Sequence, residues 1–509
     1  MLSFEKVNES AYTVKGDCSN EIDEIKPLLR AKIPNIQYSP QYKLGLISDT
    51  KNFFKQVDEK TLLVPRGLAI PLANKYNVEL KNEIVEQVSM EEFKTFVDTL
   101  EIPFEPYDYQ LQAALDCINN VSKICEMATG SGKSLTIYLI IRWFMEKLEK
   151  DEKILLIVPS IILLNQMYDD FESYGLKNAF TFVDKLGGDY KLDFFIKKVN
   201  ITTWQSLYRN VELFKDIKVL IEDEVHKATS EVHEKIIYPS AINAKFRYGF
   251  TGTIPKDYFS KLCLSSILGS CKTYITPRQL IDRGLATELL IKPVIIKYNN
   301  ATASILRNIK NYQQEISFIL DIQERNKILA KLISKVSENG NTIVLFSRVE
   351  NGKELAKLTC KLKYGVDIEI DELRKVNDYG IYFVSGDTKA SDRENIRKIM
   401  EQKSNAVIFG TNSIISTGLN IKNLKNLVNT FPGKSYVLVN QSIGRILRTH
   451  ESKNLVTLYD IVDDGTGSYK SKPNYLYKHF KERINFYLEQ EHNIDTEIVI
   501  PLWTLPNKL

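Results

Sequence analysis

The chain is poor in several of the features that most readily announce a function. Its six cysteines (18, 117, 125, 263, 271 and 360) contain no C-x-x-C pair. Its five histidines give no H-E-x-x-H spacing and no third ligand near His226 and His233, so a metal-centred reading of those two is rejected. Cys117/Cys125 and Cys263/Cys271 share one spacing, which is expected to be coincidental. Without a disulfide framework, a reducing, intracellular and cytoplasmic setting is expected. The richest apolar run, Ile154 to Leu164, is too short to span a bilayer and is broken by Pro159 and Ser160. The opening Met1-Leu-Ser-Phe-Glu-Lys6 lacks a basic region followed by an apolar core, so neither a secretory signal nor a membrane role is expected. There are no internal repeats and no low-complexity tract. Charge of one sign is also scarce: 68 basic against 64 acidic residues leave a net +4, compatible with a local nucleic-acid groove but no argument for one. The remaining composition, 43% hydrophobic and 26% charged, is that of ordinary globular protein. A chain of 509 residues exceeds one core, and about two to four domains are expected.

What is present is concentrated in short segments. Met127-Ala-Thr-Gly-Ser-Gly-Lys-Ser134 is a glycine-rich turn followed by an apolar helix from Leu135 to Leu148. Such a turn between a strand and a helix leaves backbone N–H groups free to cradle phosphate oxygens. Thr129, Gly130, Ser131 and Gly132 would form the cradle. Lys133 would reach the β- and γ-phosphates, and the Ser134 hydroxyl would ligate Mg²⁺. Met127 stands where the strict pattern has glycine, and an ordinary Gly-Ser turn is the plain alternative. A second segment weakens that alternative. The apolar run Lys218-Val-Leu-Ile-Glu222 ends on Asp223-Glu-Val-His226. Adjacent carboxylates at a strand's end are costly unless they hold a cation or an activated water. Asp223 suits the outer shell around Mg²⁺, and Glu224 suits orienting and deprotonating the attacking water.

From about Gln110 to Thr253, helix-length segments alternate with short apolar runs: Ile154–Val158, Val199–Thr202, Val219–Ile221 and Tyr248–Phe250. Buried parallel strands read this way, with ligands gathered at their C-terminal ends. A second series follows a polar stretch near Asn299–Gln314: Thr342–Phe346, Ile381–Val384, Ala406–Phe409, Asn426–Val428, Tyr436–Val439 and Leu455–Tyr459. It has no phosphate loop of its own, which suggests a cleft to which the second lobe brings charge. Before Tyr107, Leu44–Ser48 and Thr61–Val64 resemble strands and Ile70–Tyr76 a helix, a small α+β accessory domain. Asn474–Gln490 has helical apolar spacing. The expected domains are residues 1–100, 101–290 and 291–509.

The order of the segments carries more than any one of them. Tyr109-Gln110 precedes the turn. Then come Ile157-Val-Pro-Ser160 with Leu164 and Gln166, Thr203-Trp-Gln-Ser-Leu207, Asp223-Glu-Val-His226 and Phe250-Thr-Gly-Thr253. The second half adds Leu345-Phe-Ser347, Val384-Ser-Gly-Asp387, Ser416-Thr-Gly-Leu-Asn-Ile421 and Gln441-Ser-Ile-Gly-Arg-Ile-Leu-Arg448. This series resembles the motifs of superfamily 2 helicases. Within them it is most similar to the phage helicases of the UvsW type, through the Thr-Trp-Gln segment, Tyr459-Asp-Ile-Val-Asp-Asp464 and a similar N-terminal extension.

The resemblance implies two RecA-like parallel-sheet motor lobes with a cleft between them, plus the small N-terminal domain. It makes Gln110 the reader of the adenine edge and brings Gly418 close to the nucleotide. Arg445 and Arg448, three apart on one helix face, become arginine fingers against the γ-phosphate. Gln441, His226, Thr251 and Thr253 would couple the nucleotide to the other lobe. Ser160, Gln166, Thr203, Gln205 and Ser385 would touch a nucleic-acid backbone. Asn420 stands where many relatives carry Asp, so an ionic contact is not expected there.

The expected function is therefore that of an ATP- and Mg²⁺-dependent DNA helicase or translocase with 3′-to-5′ polarity. It would act, as a monomer, on branched DNA such as forks, Holliday junctions or R-loops with their RNA–DNA hybrids, in phage replication, recombination and repair in the host cytoplasm. Two alternatives stay open at this point: an RNA helicase or RNA-stimulated ATPase, and a non-helicase module, either a translocase subunit of a restriction system or a nucleotide-gated interaction protein. Within the N-terminal domain, Lys43, Lys51, Lys55, Lys60 and Arg66 interleave with Tyr42, Phe53 and Phe54, a composition suited to phosphate contact with base stacking.

Overall fold

The structure, a computed structural model, describes residues 2–34, 36–80, 83–176, 183–187, 197–208, 211–229, 233, 241–411, 421–430, 433, 443–444, 447, 449–451, 453–467 and 472–502. The chain divides into two compact units, Met1–Ile275 and Thr276–Leu509.

The N-terminal residues form an antiparallel sheet, ordered β1 (Ser3–Asn8), β2 (Ala11–Lys15), β6 (Thr61–Pro65) and β5 (Lys55–Asp58). A separate two-stranded ribbon pairs β3 (Arg30–Lys32) with β4 (Thr50–Asn52). Tyr12, Val14, Leu62 and Val64 turn into a core that also takes in Leu262 and Cys263 of the helix Tyr258–Leu268. The helix Arg66–Lys75 lies so close to that second helix that a Cβ on Gly67 would stand 2.0 Å from the Ser265 carbonyl oxygen. The small domain thus shares its core with the domain that follows.

Leu44–Ser48, expected as a strand, is a turn instead. A short helix, Pro40–Lys43, ends at Gly45, whose φ of +70° is open to glycine. Leu44 and Leu46 remain 73% and 71% exposed. The alternation of apolar residues there marks an exposed loop, with no ladder partner beside it among the described residues. The helix Met90–Asp98, counted with the N-terminal domain in the sequence, packs Phe93 and Phe96 against Trp143 of the next domain.

Seven parallel strands follow in the order β13 (Cys271–Ile275), β7 (Ser122–Met127), β12 (Phe246–Thr251), β11 (Ile217–Asp223), β8 (Lys153–Val158), β10 (Val199–Thr203) and β9 (Val183–Leu186). In the second unit the order is β16 (Ile381–Val384), β17 (Val407–Thr411), β15 (Asn341–Phe346), β18 (Leu424–Asn429), β19 (Leu455–Asp464) and β14 (Glu288–Tyr298). Beside β14 lie both β20 (Asn493–Ile494) and β21 (Ile498–Leu502). Alternate residues of β15 enter opposite cores, Val344 and Phe346 one, Ile343 and Leu345 the other. Both faces are covered, which is why these strands read as unbroken apolar runs. The fold is α/β with two RecA-like parallel sheets and a small α+β region ahead of them.

Three further differences from the sequence reading have physical causes. The division at Ile275/Thr276 lies ahead of the 290/291 boundary because Ile281 already packs in the second unit's core. In the same stretch, the Thr287 N–H donates to the Leu447 carbonyl at 2.7 Å. The polar stretch Asn299–Gln314 holds helices, Asn300–Asn308 and the start of Tyr312–Leu320, each capped by an asparagine and burying Leu306, Ile316 and Ile319. Cys117 and Cys125 lie side by side with sulfurs 3.4 Å apart, because the helix Asp108–Ile118 packs on β7, a contact that the sequence reading did not foresee. The expected strand Tyr436–Val439 lies outside the described residues.

Candidate nucleotide-binding and hydrolysis site

The glycine-rich turn joins β7 to the helix Lys133–Lys147. Gly130 and Gly132 have φ of +88° and +79°, left-handed values that glycine adopts without steric cost. Met127, at the position of the missing glycine, is fully buried at the strand's end. Its backbone is not left-handed, so a side chain is tolerated there. Its carbonyl accepts from Lys133 Nζ at 3.4 Å.

The preceding helix holds the turn from the side. Gln110 Nε2 donates to the Ser131 carbonyl at 2.8 Å, Tyr109 OH donates to the same oxygen at 3.0 Å, and Gln110 Oε1 accepts from the Tyr107 N–H at 2.8 Å. A Cβ on Gly132 would lie 2.3 Å from Gln110 Nε2, so glycine is required sterically as well as conformationally. Gln110 is 3% exposed, and here its amide cements the turn to the helix start. Tyr107, half exposed, stacks on Tyr109 with centroids 5.5 Å apart.

Asp223 ends β11, and its Oδ1 accepts from the Glu224 N–H at 2.9 Å. Glu224 has φ of +52°, uncommon for a residue with a side chain and a form of strain that collects at functional sites. Glu224 Oε2 lies 3.3 Å from His226 Nδ1, which in turn lies 2.9 Å from Thr251 Oγ1. The Thr251 hydroxyl donates to the Thr253 carbonyl at 3.0 Å and accepts from the Thr253 N–H at 3.2 Å. That places the imidazole proton on Nδ1 if Thr251 is its acceptor. Next in the chain, Gly252 lies against the phosphate loop: a Cβ there would be 2.9 Å from Thr129 Oγ1 and 3.7 Å from Lys133 Nζ.

The two acids divide sharply. Burial and the neighbouring charge of Glu224 push Asp223 up to about 7. Burial also pushes Glu224 upward, but the Lys133 charge and the His226 contact outweigh it and hold Glu224 at about 2. A half-buried, self-repelling acid pair at a strand's end is an arrangement that a divalent cation relieves. The expected residues Thr129, Gly130, Ser131, Gly132, Lys133, Ser134, Asp223, Glu224, His226, Thr251 and Thr253 therefore gather at the C-terminal ends of three adjacent strands, β7, β12 and β11.

Comparison with known proteins supplies the family. Residues 103–256 match the model of the type III restriction enzyme res subunit, and residues 324–450 that of the helicase conserved C-terminal domain. The ATP-dependent DNA helicase uvsW of Enterobacteria phage T4 is 30% identical over 480 residues, 91% of this chain and 89% of that protein. This chain belongs to the UvsW-type helicases of superfamily 2. A crystal structure of T4 UvsW aligns over 98% of this chain and 99% of its own, with 25% identity and a TM-score of 0.47. The type ISP restriction-modification enzyme LlaBIII, bound to DNA, shares the fold at a TM-score of 0.55 and 14% identity, over 80% of this chain and 32% of its own.

A second set of the expected residues lies at the ends of β8 and β10. Ser160 caps the helix Ile161–Ser173, accepting from the Leu163 N–H at 3.3 Å. A Cβ on Gly187 would fall 2.6 Å from Ile161 Cδ1 and 3.0 Å from Ser206 Oγ, so the ends of β8, β9 and β10 converge on one patch. Gln166 and Gln205 are exposed there. Thr203 and Ser385, expected to offer hydroxyls to a backbone, are instead 3% and 1% exposed. Thr203 Oγ1 lies 3.1 Å from Ser206 Oγ, and Ser385 sits under Arg374 and Arg393, whose Nη2 donates to the Ser385 and Gly386 carbonyls. These two hydroxyls shape the surface from beneath it.

Gly418, Asn420, Gln441, Arg445 and Arg448 lie outside the described residues; Ile443 and Leu447 beside them are buried in the second unit's core. Sequence reasoning missed Tyr109, although it adjoins Gln110, and Arg374 and Arg393, which no motif flagged.

Proposed function

We propose that this helicase hydrolyses Mg²⁺-ATP to drive 3′-to-5′ movement on branched DNA, acting as a monomer. The observation that carries the reading is the convergence of Lys133, Asp223, Glu224, His226 and Thr251 at adjacent strand ends, in a chain whose family is established. Thr129 to Gly132 cradle the phosphates through backbone N–H groups, and Lys133 neutralises the β- and γ-phosphates. Ser134 and Asp223 would hold Mg²⁺, directly or through its waters, and the ion would supply positive charge to the phosphates. Glu224, ionised throughout the physiological range, accepts the proton of the attacking water. His226 and Thr251 link that base to the Thr251–Thr253 turn. Gln110, whose amide is spent on the Ser131 carbonyl and the Tyr107 N–H, steadies the phosphate loop beside the nucleotide, and Gly418 lies near it. Arg445 and Arg448 neutralise the charge on the γ-phosphate as the lobes close, with Gln441 beside them. Ser160, Gln166, Thr203, Gln205 and Ser385 form or underlie the track for the strand.

The N-terminal domain fits recognition of the branch, with a smaller cast than its composition suggested. Arg66 is buried, bonded to Glu83 and to the Lys245 carbonyl, and Phe53 is 6% exposed. Both belong to the core. What faces outward is the loop with Tyr42, Lys43, Leu44, Leu46 and Ile47, and Lys55 beyond it. Deleting the whole domain would uncover Leu262 and Cys263, so substitution is the sounder test. Combined Lys43→Glu, Leu44→Ser and Leu46→Ser should leave single-strand-stimulated ATP hydrolysis intact while sharply lowering unwinding of forks and four-way junctions. Equal unwinding by the variant would remove the branch-recognition role. The same panel, run with DNA, RNA and hybrid strands of defined polarity, decides nucleic-acid class and direction.

A further inference from the structure

The phosphate loop contains two serines with different surroundings. Ser131 Oγ is buried and has no hydrogen-bond partner among the described residues. Ser134 Oγ is tethered: it lies 2.8 Å from the phenol oxygen of Tyr174, forty positions on and in none of the motifs. Tyr174 follows the helix Ile161–Ser173, and its ring is wedged edge-on against Phe104 and Tyr138 at centroid distances of 5.7 and 5.4 Å. Tyr138 is one turn from Ser134 on the same helix face. Three aromatic rings from three segments therefore fix where the phenol points. A phenol hydroxyl can donate or accept in that bond.

A serine hydroxyl at a helix start can sit in three staggered wells, and only some aim its lone pairs at the loop's interior. Its one hydrogen and two lone pairs mean that a bond to Tyr174, in either direction, leaves a lone pair over. We propose that Tyr174 is a positioning residue for Mg²⁺: it locks the Ser134 hydroxyl so that this lone pair meets the ion accompanying the nucleotide. The proposal rests on Ser134 being an Mg²⁺ ligand. Partners behind a metal ligand commonly change metal affinity by about 10- to 100-fold when removed.

The test measures binding, with the full chain and a fluorescent ADP analogue titrated with and without Mg²⁺. Tyr174→Phe keeps the ring packing and removes only the hydroxyl. It should cut the Mg²⁺-dependent gain in nucleotide affinity by about tenfold or more, leaving affinity in EDTA unchanged. Ser134→Ala should lose that gain as well, and the double variant should be no worse than Ser134→Ala alone, because the two act through one atom. If Ser134→Ala loses the gain and Tyr174→Phe keeps it, Tyr174 is idle and only this proposal falls. Equal weakening by Tyr174→Phe with and without Mg²⁺ marks a merely structural ring and also overturns it. If Ser134→Ala keeps the full gain, the metal-ligand reading falls and the proposal goes with it.

Discussion

At the end of β11, Asp223 and Glu224 face Lys133 and His226; along the C-terminal half of β19, Asp460 and Asp463 face arginines. Both strands lie inside parallel sheets of one architecture, with Asp460 and Asp463 buried and Asp223 and Glu224 half-buried. In the second unit each acid has its own cation. Arg325 grips Asp463 through two bonds of 2.7 and 2.9 Å, with Tyr298 OH adding a third at 2.8 Å. Arg483 donates to Asp460 at 2.9 Å, joined by Tyr487 at 3.1 Å and Asn429 at 3.1 Å. In the first unit Lys133 and Lys227 act on both acids at once, and burial with the charge of Glu224 still drives Asp223 up to about 7. The second sheet has satisfied its charges and uses them as structure. The first has left a deficit of positive charge, which is what a metal-nucleotide site requires.

That contrast can be broken from either side. The largest effect is expected from Lys133→Ala, which removes the cation facing the acids: ATP turnover should fall to background while DNA binding largely survives. Normal turnover in a phosphate-release assay would remove the site. Next come Glu224→Gln and Arg445→Ala. Glu224→Gln should keep nucleotide and Mg²⁺ bound while slowing hydrolysis about 10²- to 10⁴-fold, the range of a general base. Arg445→Ala should lower kcat by about 10³ or more at roughly unchanged ATP affinity. A fall in affinity at constant kcat would make Arg445 a ground-state contact. On the structural side, Asp463→Ala strands the buried Arg325 and should cost about 3–5 kcal/mol of stability in denaturant unfolding. A stable variant would show that the second sheet's acids are as dispensable as surface pairs. The smallest effect is Tyr298→Phe, which removes one of three bonds to Asp463 and should cost about 1 kcal/mol with ATP hydrolysis unaffected.

Much of the first unit was legible because its chemistry is local. The turn Met127–Ser134 and the run Asp223–His226 are contiguous, and apolar runs such as Ile154–Val158 announce strands covered on both faces. The C-terminal helix Tyr475–Glu489 showed itself by spacing alone. Misreadings arose where burial overrode composition. Arg66 reads as a phosphate contact and is a core ion pair; Leu44–Ser48 reads as a strand and is an exposed loop. The long strand β14 gave no clear signal, because Lys292 and Pro293 interrupt it while its neighbours on both sides are distant in sequence.

By itself, then, the sequence determined the order of the motor segments, the phosphate loop, the acid pair and the family, since each is carried by residues adjacent along the chain. Tertiary structure decided which acids were left short of a cation, which hydroxyls reached the surface, and that Tyr174 stands behind Ser134. Those outcomes depend on neighbours supplied by other elements, and a carboxylate or hydroxyl acquires its charge state and direction only from the groups packed around it.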